Sequence, residues 1–208
     1  MKYLAIDTTC ASLRVILGAD GKTYEYCEEG KKASEILLTA IDGLLGQAGL
    51  TLADTDVYAV VTGPGSFTGI RIGINTVKTF AAVTGKKIVA VNSIEKLAYN
   101  ISAGATLGIV FAYANFCYVG VYDGNGNCIS APEMITFDEA KSRAASSEYE
   151  VYCDEAAFEK LQVGKKDDPS LSFRRAVESA ISRNASVDYR EIEPFYLIKS
   201  QAEREKGE

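Results

Sequence analysis

The hydrophobic period changes along this chain in an order that is used twice. Tyr3–Ile6, Leu13–Leu17 and Thr23–Cys27 are short apolar or β-prone runs, and Asp20-Gly21 between the last two is a two-residue hairpin signal. A helical period follows: Leu37, Ile41, Leu44 and Ala48 fall on one stripe of 33–48, with Ser34 and Glu35 in the first turn and Gly49 as a stop. Val57–Thr62 reads as a strand, Gly69–Val83 as a helix closed by Gly85, Lys87–Val91 as a strand, and Ser93 as the cap of a helix through Tyr99. The order then repeats. Thr106–Ala112, Phe116–Tyr122 and Cys128–Ile129 read as strands, with the turn Asp123-Gly-Asn-Gly126 between the last two. A helix at Phe137–Ala145, a strand at Tyr149–Cys153 and helices at Glu155–Leu161 and Leu171–Ile181 complete it. Strand-strand-strand-helix-strand-helix therefore occurs twice, which predicts two related α/β lobes, each a mixed sheet flanked by helices. The expected bounds are 1–102 for the N-terminal lobe, 103–199 for a smaller, degenerate C-terminal lobe, and 200–208 for a polar, solvated tail.

Composition narrows the function. At 208 residues with 47% hydrophobic and 24% charged side chains, the chain can build its cores without disulfides. Basic and acidic residues number 22 and 28, and 22 − 28 gives −6. Residues 1–100 hold 10 of each and residues 101–208 hold 12 and 18, so the acidic excess lies in the second half. With no Lys/Arg run to follow a phosphate backbone, a free-standing nucleic-acid binder is not expected. The absence of histidine excludes Ser-His-Asp hydrolysis, Cys-His proteolysis, HExxH zinc sites and histidine phosphotransfer. Five cysteines, at 10, 27, 117, 128 and 153, form no CxxC, so free thiols in a reducing compartment are expected. The opening MKYLAIDTT reaches Asp7 too early for a signal peptide, and no run approaches the ~20 apolar residues of a membrane span. A cytoplasmic protein without a membrane partner is expected.

Three features can carry chemistry or contacts. Asp7, Thr8 and Thr9 end the first strand; an aspartate followed by hydroxyls in a tight turn can hold Mg²⁺ through water and donate to phosphate, or can simply satisfy turn amides. In Gly63-Pro64-Gly65-Ser66-Phe67-Thr68-Gly69, the glycines allow close backbone approach and Ser66 or Thr68 can cap the following helix. Such a turn can bind an anion or can be a plain strand-to-helix turn, and it lacks the lysine of a P-loop. The third feature is a pair of helices with spare non-polar faces. The first has Ala33, Ile36, Ala40 and Gly43 beside its core stripe, and the second is apolar or small almost all round, with Gly69, Ile70, Gly73 and Ile74 together and a polar line of Arg71, Asn75 and Lys78. These eight non-polar residues are the expected partner interface.

At AIDTT and GPGSFTGIRIG the sequence resembles the bacterial TsaB (YeaZ) family, and the likeness continues through ASEILLTAIDGLLGQAGL to EPFYLIKSQAERE at 193–205. The stretch Phe111-Ala-Tyr-Ala-Asn-Phe-Cys-Tyr118 lacks the aspartate and arginines of that family's DARRGEVY, and Ala33 and Thr39 stand where it often has His and Pro. The resemblance implies a two-lobed actin-like ATPase (ribonuclease H-like) fold of the Hsp70-like and sugar-kinase superfamily. It implies a non-catalytic activator that binds the transferase TsaD, with the ATPase TsaE, for threonylcarbamoylation of the tRNA adenosine beside the anticodon. Without TsaD the spare helix faces can pair with themselves, so a homodimer is expected when isolated, and the acidic balance predicts tRNA contact only within the complex. No residue is assigned a catalytic or metal-binding role, and no cofactor is expected; Asp7, Thr8 and Thr9 are at most a vestigial phosphate turn for weak Mg-ATP. A small ATP-dependent kinase or ATPase of the same fold is the alternative, and a metal-dependent glycopeptidase fits less well.

Overall fold

A computed structural model describes residues 1–197. The tail expected at 200–208 lies outside the described residues. The described residues divide into two units, Met1–Val91 with Ala180–Pro194, and Asn92–Ser179 with 195–197. The division thus falls before Asn92, not after Ser102 as the sequence suggested. The physical reason is the third helix, which packs against strands of the second unit.

The first unit holds β1 (Tyr3–Asp7), β2 (Ser12–Ala19), β3 (Lys22–Glu29), α1 (Ala33–Ala48), β4 (Val57–Gly63), α2 (Phe67–Thr84), β5 (Lys87–Asn92) and, after the return at Ala180, β11 (Ser186–Val187). Its strand order is β11-β5-β4-β1-β2-β3. β1, β2 and β3 form the antiparallel meander, and β4 joins β1 in parallel. The hairpin turn is Asp20-Gly21, both with positive φ, as a two-residue primed turn requires. Every residue of β1 and β4 is buried, consistent with their unbroken apolar runs. α1 packs on β2 and β3, α2 packs on β4 and β1, and the two helices touch.

The second unit holds α3 (Ser93–Ala98), β6 (Ala105–Tyr113), β7 (Phe116–Asp123), β8 (Cys128–Thr136), α4 (Phe137–Ser146), β9 (Glu150–Cys153), α5 (Glu155–Leu161), β10 (Lys165–Lys166) and most of α6 (Pro169–Ser182). Its order, β10-β9-β6-β7-β8, repeats that of β5-β4-β1-β2-β3, a three-stranded meander followed by two further strands, here both parallel, and lacks a counterpart of β11, which is antiparallel to β5. One face packs Leu107, Ile109, Val119 and Val121 against Ala140, Ala157 and Leu161 of α4 and α5; the other packs Val110, Tyr118 and Tyr122 against Ile94, Leu97 and Ala98 of α3.

Local chemistry sets the helix ends. Asn92, not Ser93, caps α3: its Oδ1 accepts from the N–H of Ile94 at 2.7 Å and of Glu95 at 3.4 Å, and Glu95 returns a bond to the Asn92 N–H. Ser93 is instead buried in the first helical turn. Gly49 and Gly85 stop α1 and α2 in the left-handed conformation. All five cysteines are free, with Cys117 and Cys153 buried. Among the described residues no helix is long and apolar enough to cross a membrane.

Candidate functional site

The candidate site lies where β1 ends beside the entry to α2. Asp7, Thr8 and Thr9 are all buried. Asp7 Oδ1 accepts from the Thr9 N–H at 2.9 Å and from Thr9 Oγ1 at 2.7 Å, so both donors of Thr9 are engaged by the carboxylate of its own turn. Thr8 Oγ1 donates to the Gly69 carbonyl at 2.7 Å, and the Ser66 N–H donates to the Thr9 carbonyl at 2.8 Å. Ser66, rather than Thr68, caps α2: Ser66 Oγ accepts from the Gly69 N–H at 3.2 Å. The helix therefore starts at Phe67, inside the segment read as a loop.

The glycines explain how two loops come this close. A Cβ at Gly65 would stand 2.5 Å from the Thr9 carbonyl oxygen, one at Gly69 would overlap the Thr8 carbonyl, and one at Gly73 would meet Thr8 Oγ1 at 2.6 Å. Gly69 and Gly73 are one turn apart on one face of α2. The sequence expectation for that face is corrected here. Gly69, Ile70, Gly73 and Ile74 are all buried, with Gly69 and Gly73 set against Thr8 and Gly73 also against Val60 and Ile6, so they are core and not a partner surface. In a helix with few charges, periodicity cannot tell the sheet-facing stripe from the outer one.

On α1 the expected stripe is mixed. Ala40 is buried, Ala33 and Ile36 are half-buried and Gly43 is exposed. Ile36, Ala40 and Gly43 line a groove of about 380 Å³ with Tyr26 and Lys31. Leu38, two residues past Ile36 and so about 200° around the helix, is 64% exposed. Val83 on α2 is 82% exposed, on a line with Thr79, Thr76 and Ile72 that carries no charge. Of the polar line, Arg71 and Asn75 are exposed, and Lys78 Nζ donates to the Ile192 carbonyl at 2.9 Å.

Two further residues were missed, one in each unit. Arg14 lies opposite Asp7 on β2 and opposite Cys27 on β3, and is ion-paired to Glu25. Burial works against its charge, but Glu25, Cys27 and Asp7 outweigh that and raise its pKa. Counting back from the Asp20-Gly21 turn gives this register, so the signal was present. In the second unit Asp154 follows β9 and caps α5; its Oδ1 accepts from the N–H of Phe111 at 3.1 Å and of Ala157 at 2.8 Å. Burial pushes this carboxyl up to about 6, against the pull of those two donors and Lys96. Asp123 folds its carboxylate onto Asn125 and Asn127, closing the tip between β7 and β8. Among the described residues, no three His, Cys, Asp or Glu side chains gather as a metal ligand set.

Comparison with known proteins agrees with this architecture. The family model for TsaD, tRNA N6-adenosine threonylcarbamoyltransferase, matches residues 28–172. The transferase of that name from Methylorubrum extorquens strain PA1 is 35% identical over 135 residues, covering 54% of this chain and 38% of that protein. The tRNA threonylcarbamoyladenosine biosynthesis protein TsaB from Bacillus subtilis is 37% identical over 102 residues, 48% of this chain and 44% of that one. The chain thus matches less than half the length of these curated relatives. In fold, YeaZ from Pseudomonas aeruginosa superposes with a TM-score of 0.79 at 21% identity, covering 94% of this chain and 99% of that chain. With the duplicated strand order, that likeness makes the fold the actin-like, ribonuclease H-like one. The extent of the family match places the chain in the TsaD family, within which it is similar in sequence to the Bacillus TsaB protein and in fold to Pseudomonas YeaZ.

Proposed function

We propose that this chain is the non-catalytic partner in tRNA threonylcarbamoyladenosine biosynthesis. It binds a TsaD-type transferase through the outer faces of α1 and α2, with a TsaE-type ATPase as third component. It meets tRNA only within that assembly, and pairs with itself when the transferase is absent. The observation that carries this reading is the outer face of the helix pair. Leu38 and Val83 stand 64% and 82% exposed, and the Ile72-Thr76-Thr79-Val83 line has no charge to keep it in water. The engaged donors of the Asp7–Thr9 turn support the non-catalytic part: a phosphate arriving there would have to displace the Asp7 carboxylate from Thr9.

The test is co-purification of the chain with the transferase of its own genome, wild type against Leu38→Asp and Val83→Asp. Both positions are exposed, so both variants fold, and each places a charge where association removes water. Binding is expected to fall by at least tenfold in each. Ile74→Asp cannot serve, because Ile74 is core. Unchanged affinity in both variants would move the contact elsewhere. Isothermal titration with Mg-ATP is expected to give no turnover; turnover lost in Asp7→Ala would replace this reading with the small kinase or ATPase.

A further inference from the structure

The tip between β7 and β8 reads Asp123-Gly-Asn-Gly-Asn127 and is assembled around one carboxylate. Asp123 Oδ1 accepts from the N–H of Asn125 at 2.8 Å and of Asn127 at 2.9 Å, and Oδ2 accepts from Asn127 Nδ2 at 2.9 Å. The Gly126 N–H donates to the Asp123 carbonyl and the Asp123 N–H to the Asn127 carbonyl, each at 3.0 Å. Gly126 sits at φ 79°, in the left-handed region, so the turn calls for glycine there. Asn125 therefore precedes the one residue type that leaves the following backbone nitrogen unshielded by a Cβ. Of the seven asparagines in the chain, it alone has a glycine after it.

Asn125 also differs in what holds its side chain. The amides of Asn100 and Asn127 donate to carboxylates, of Asp167 at 2.7 Å and of Asp123 at 2.9 Å, and the side-chain oxygen of Asn92 caps α3. Asn125 is exposed, and its side-chain amide has no hydrogen-bond partner among the described residues. We propose that Asn125 is a site of spontaneous deamidation, through a cyclic imide with Gly126, and that the change opens the tip between β7 and β8.

The step balances with water alone. The Gly126 nitrogen attacks Asn125 Cγ and gives up its proton, the bond from Cγ to the side-chain nitrogen breaks, and ammonia leaves. Water then opens the imide. Opening at Cγ gives aspartate; opening at the main-chain carbonyl leaves Gly126 joined through Cγ and gives isoaspartate. One water is consumed, one ammonia is released, and nothing is oxidised or reduced. The bond from the Gly126 N–H to the Asp123 carbonyl has to open first, so the turn slows the attack. It does not prevent it, because a backbone bond in an exposed turn opens locally at small cost. Either product sets a second carboxylate two residues from that of Asp123. Isoaspartate also adds one carbon to the main chain between Asp123 and Gly126, so the two 3.0 Å bonds that close the tip no longer fit together. The site lies in the second unit and does not depend on the transferase contact proposed above.

The test incubates the full-length chain in mildly alkaline buffer and follows it by peptide mass mapping, beside a synthetic peptide spanning the same tip. Asn125 is expected to gain the amide-to-acid mass difference at least tenfold faster than Asn127, and the same fragment should become a substrate for an isoaspartyl methyltransferase. Asn125→Gln, at an exposed position that leaves the fold intact, should abolish both signals. No conversion at Asn125 over an incubation that converts the synthetic peptide would overturn the proposal. So would conversion of Asn127 at an equal rate, or signals that persist in the glutamine variant. Converted chain, separated by ion exchange, should show amide exchange across Asp123–Cys128 at least tenfold faster than unconverted chain, with β1 and β4 unchanged. Equal exchange in the two forms would overturn the opening of the tip.

Discussion

Asp154→Asn separates two roles of one carboxylate. Both hydrogen bonds that Asp154 accepts, from Phe111 and Ala157, reach Oδ1, which an asparagine keeps. Only the charge is lost. The wild-type carboxyl is raised from 3.8 to about 6, with burial as the largest cause. The native state therefore holds this proton more tightly than the unfolded chain does. The stability contributed by that proton is complete below about pH 4 and is lost as pH rises through about 6. At ~1.4 kcal/mol per unit, two units give an upper bound of about 3 kcal/mol. Part of the residue reaches solvent, and Lys96 loses a nearby counter-charge in the variant, so a net gain of about 1–2 kcal/mol at pH 8 is expected. Urea unfolding followed by circular dichroism below about pH 4 and at pH 8, with amide exchange at Phe111 and Ala157 as a local readout, measures it. The variant should match wild type at the lower pH and exceed it at the higher. Asp154→Ala, which leaves both N–H groups without their acceptor, should lose about 1–3 kcal/mol at either pH. An asparagine variant less stable than wild type at pH 8 would refute the reasoning, because it would mean that Lys96 stabilises the charge more than burial penalises it.

Gly73→Ala places a methyl 2.6 Å from Thr8 Oγ1 and 3.3 Å from Val60, and should lower stability by about 1–3 kcal/mol in thermal unfolding, while Gly43→Ala, in open space, should leave it unchanged or raise it. Asn92→Ala removes the cap of α3 and should cost about 1 kcal/mol. Thr136→Ala, which breaks the capping box with Glu139, should cost a similar amount; it should also raise the Glu139 pKa, which the Thr136 bonds hold down, as NMR titration would record.

Element identity was legible because each element carried its own stop. Asp20-Gly21, Gly49 and Gly85 punctuate the first unit, and the α1 and α5 bounds match the sequence reading residue for residue. β8 was read as two residues and runs for nine; Pro132 and the polar residues around it hide a strand that needs only one buried side. β10 and β11 were invisible because two residues have no period. The loops of the candidate site were found, but not what they do to each other. A glycine in a motif permits close approach without naming the atom approached, and here that atom is the Thr8 or Thr9 oxygen. The partner face was misplaced on α2 for the opposite reason: a helix with only Arg71 and Lys78 as charges offers no polar side to subtract.

The interlocked loops and the outer face of α2 are one device if the proposed partner contact is correct. A helix face binds well when its position is settled before association, because ordering at the interface subtracts from affinity. Here the first turns of α2 are tied to β1 by Thr8 Oγ1 on the Gly69 carbonyl and by the Ser66 N–H on the Thr9 carbonyl, with glycines letting the backbones meet. Thr8→Val tests this without touching the outer face. It substitutes a methyl for the hydroxyl that bonds Gly69, costing about 1–3 kcal/mol through the lost bond and the crowded carbonyl, whereas Thr8→Ser retains the donor. Exchange of the α2 first-turn amides should quicken in the valine variant, and affinity for the transferase should fall severalfold although every outer-face residue is unchanged. Quickened exchange with undiminished affinity would show that the loops hold the core alone and that the partner does not depend on how α2 is set.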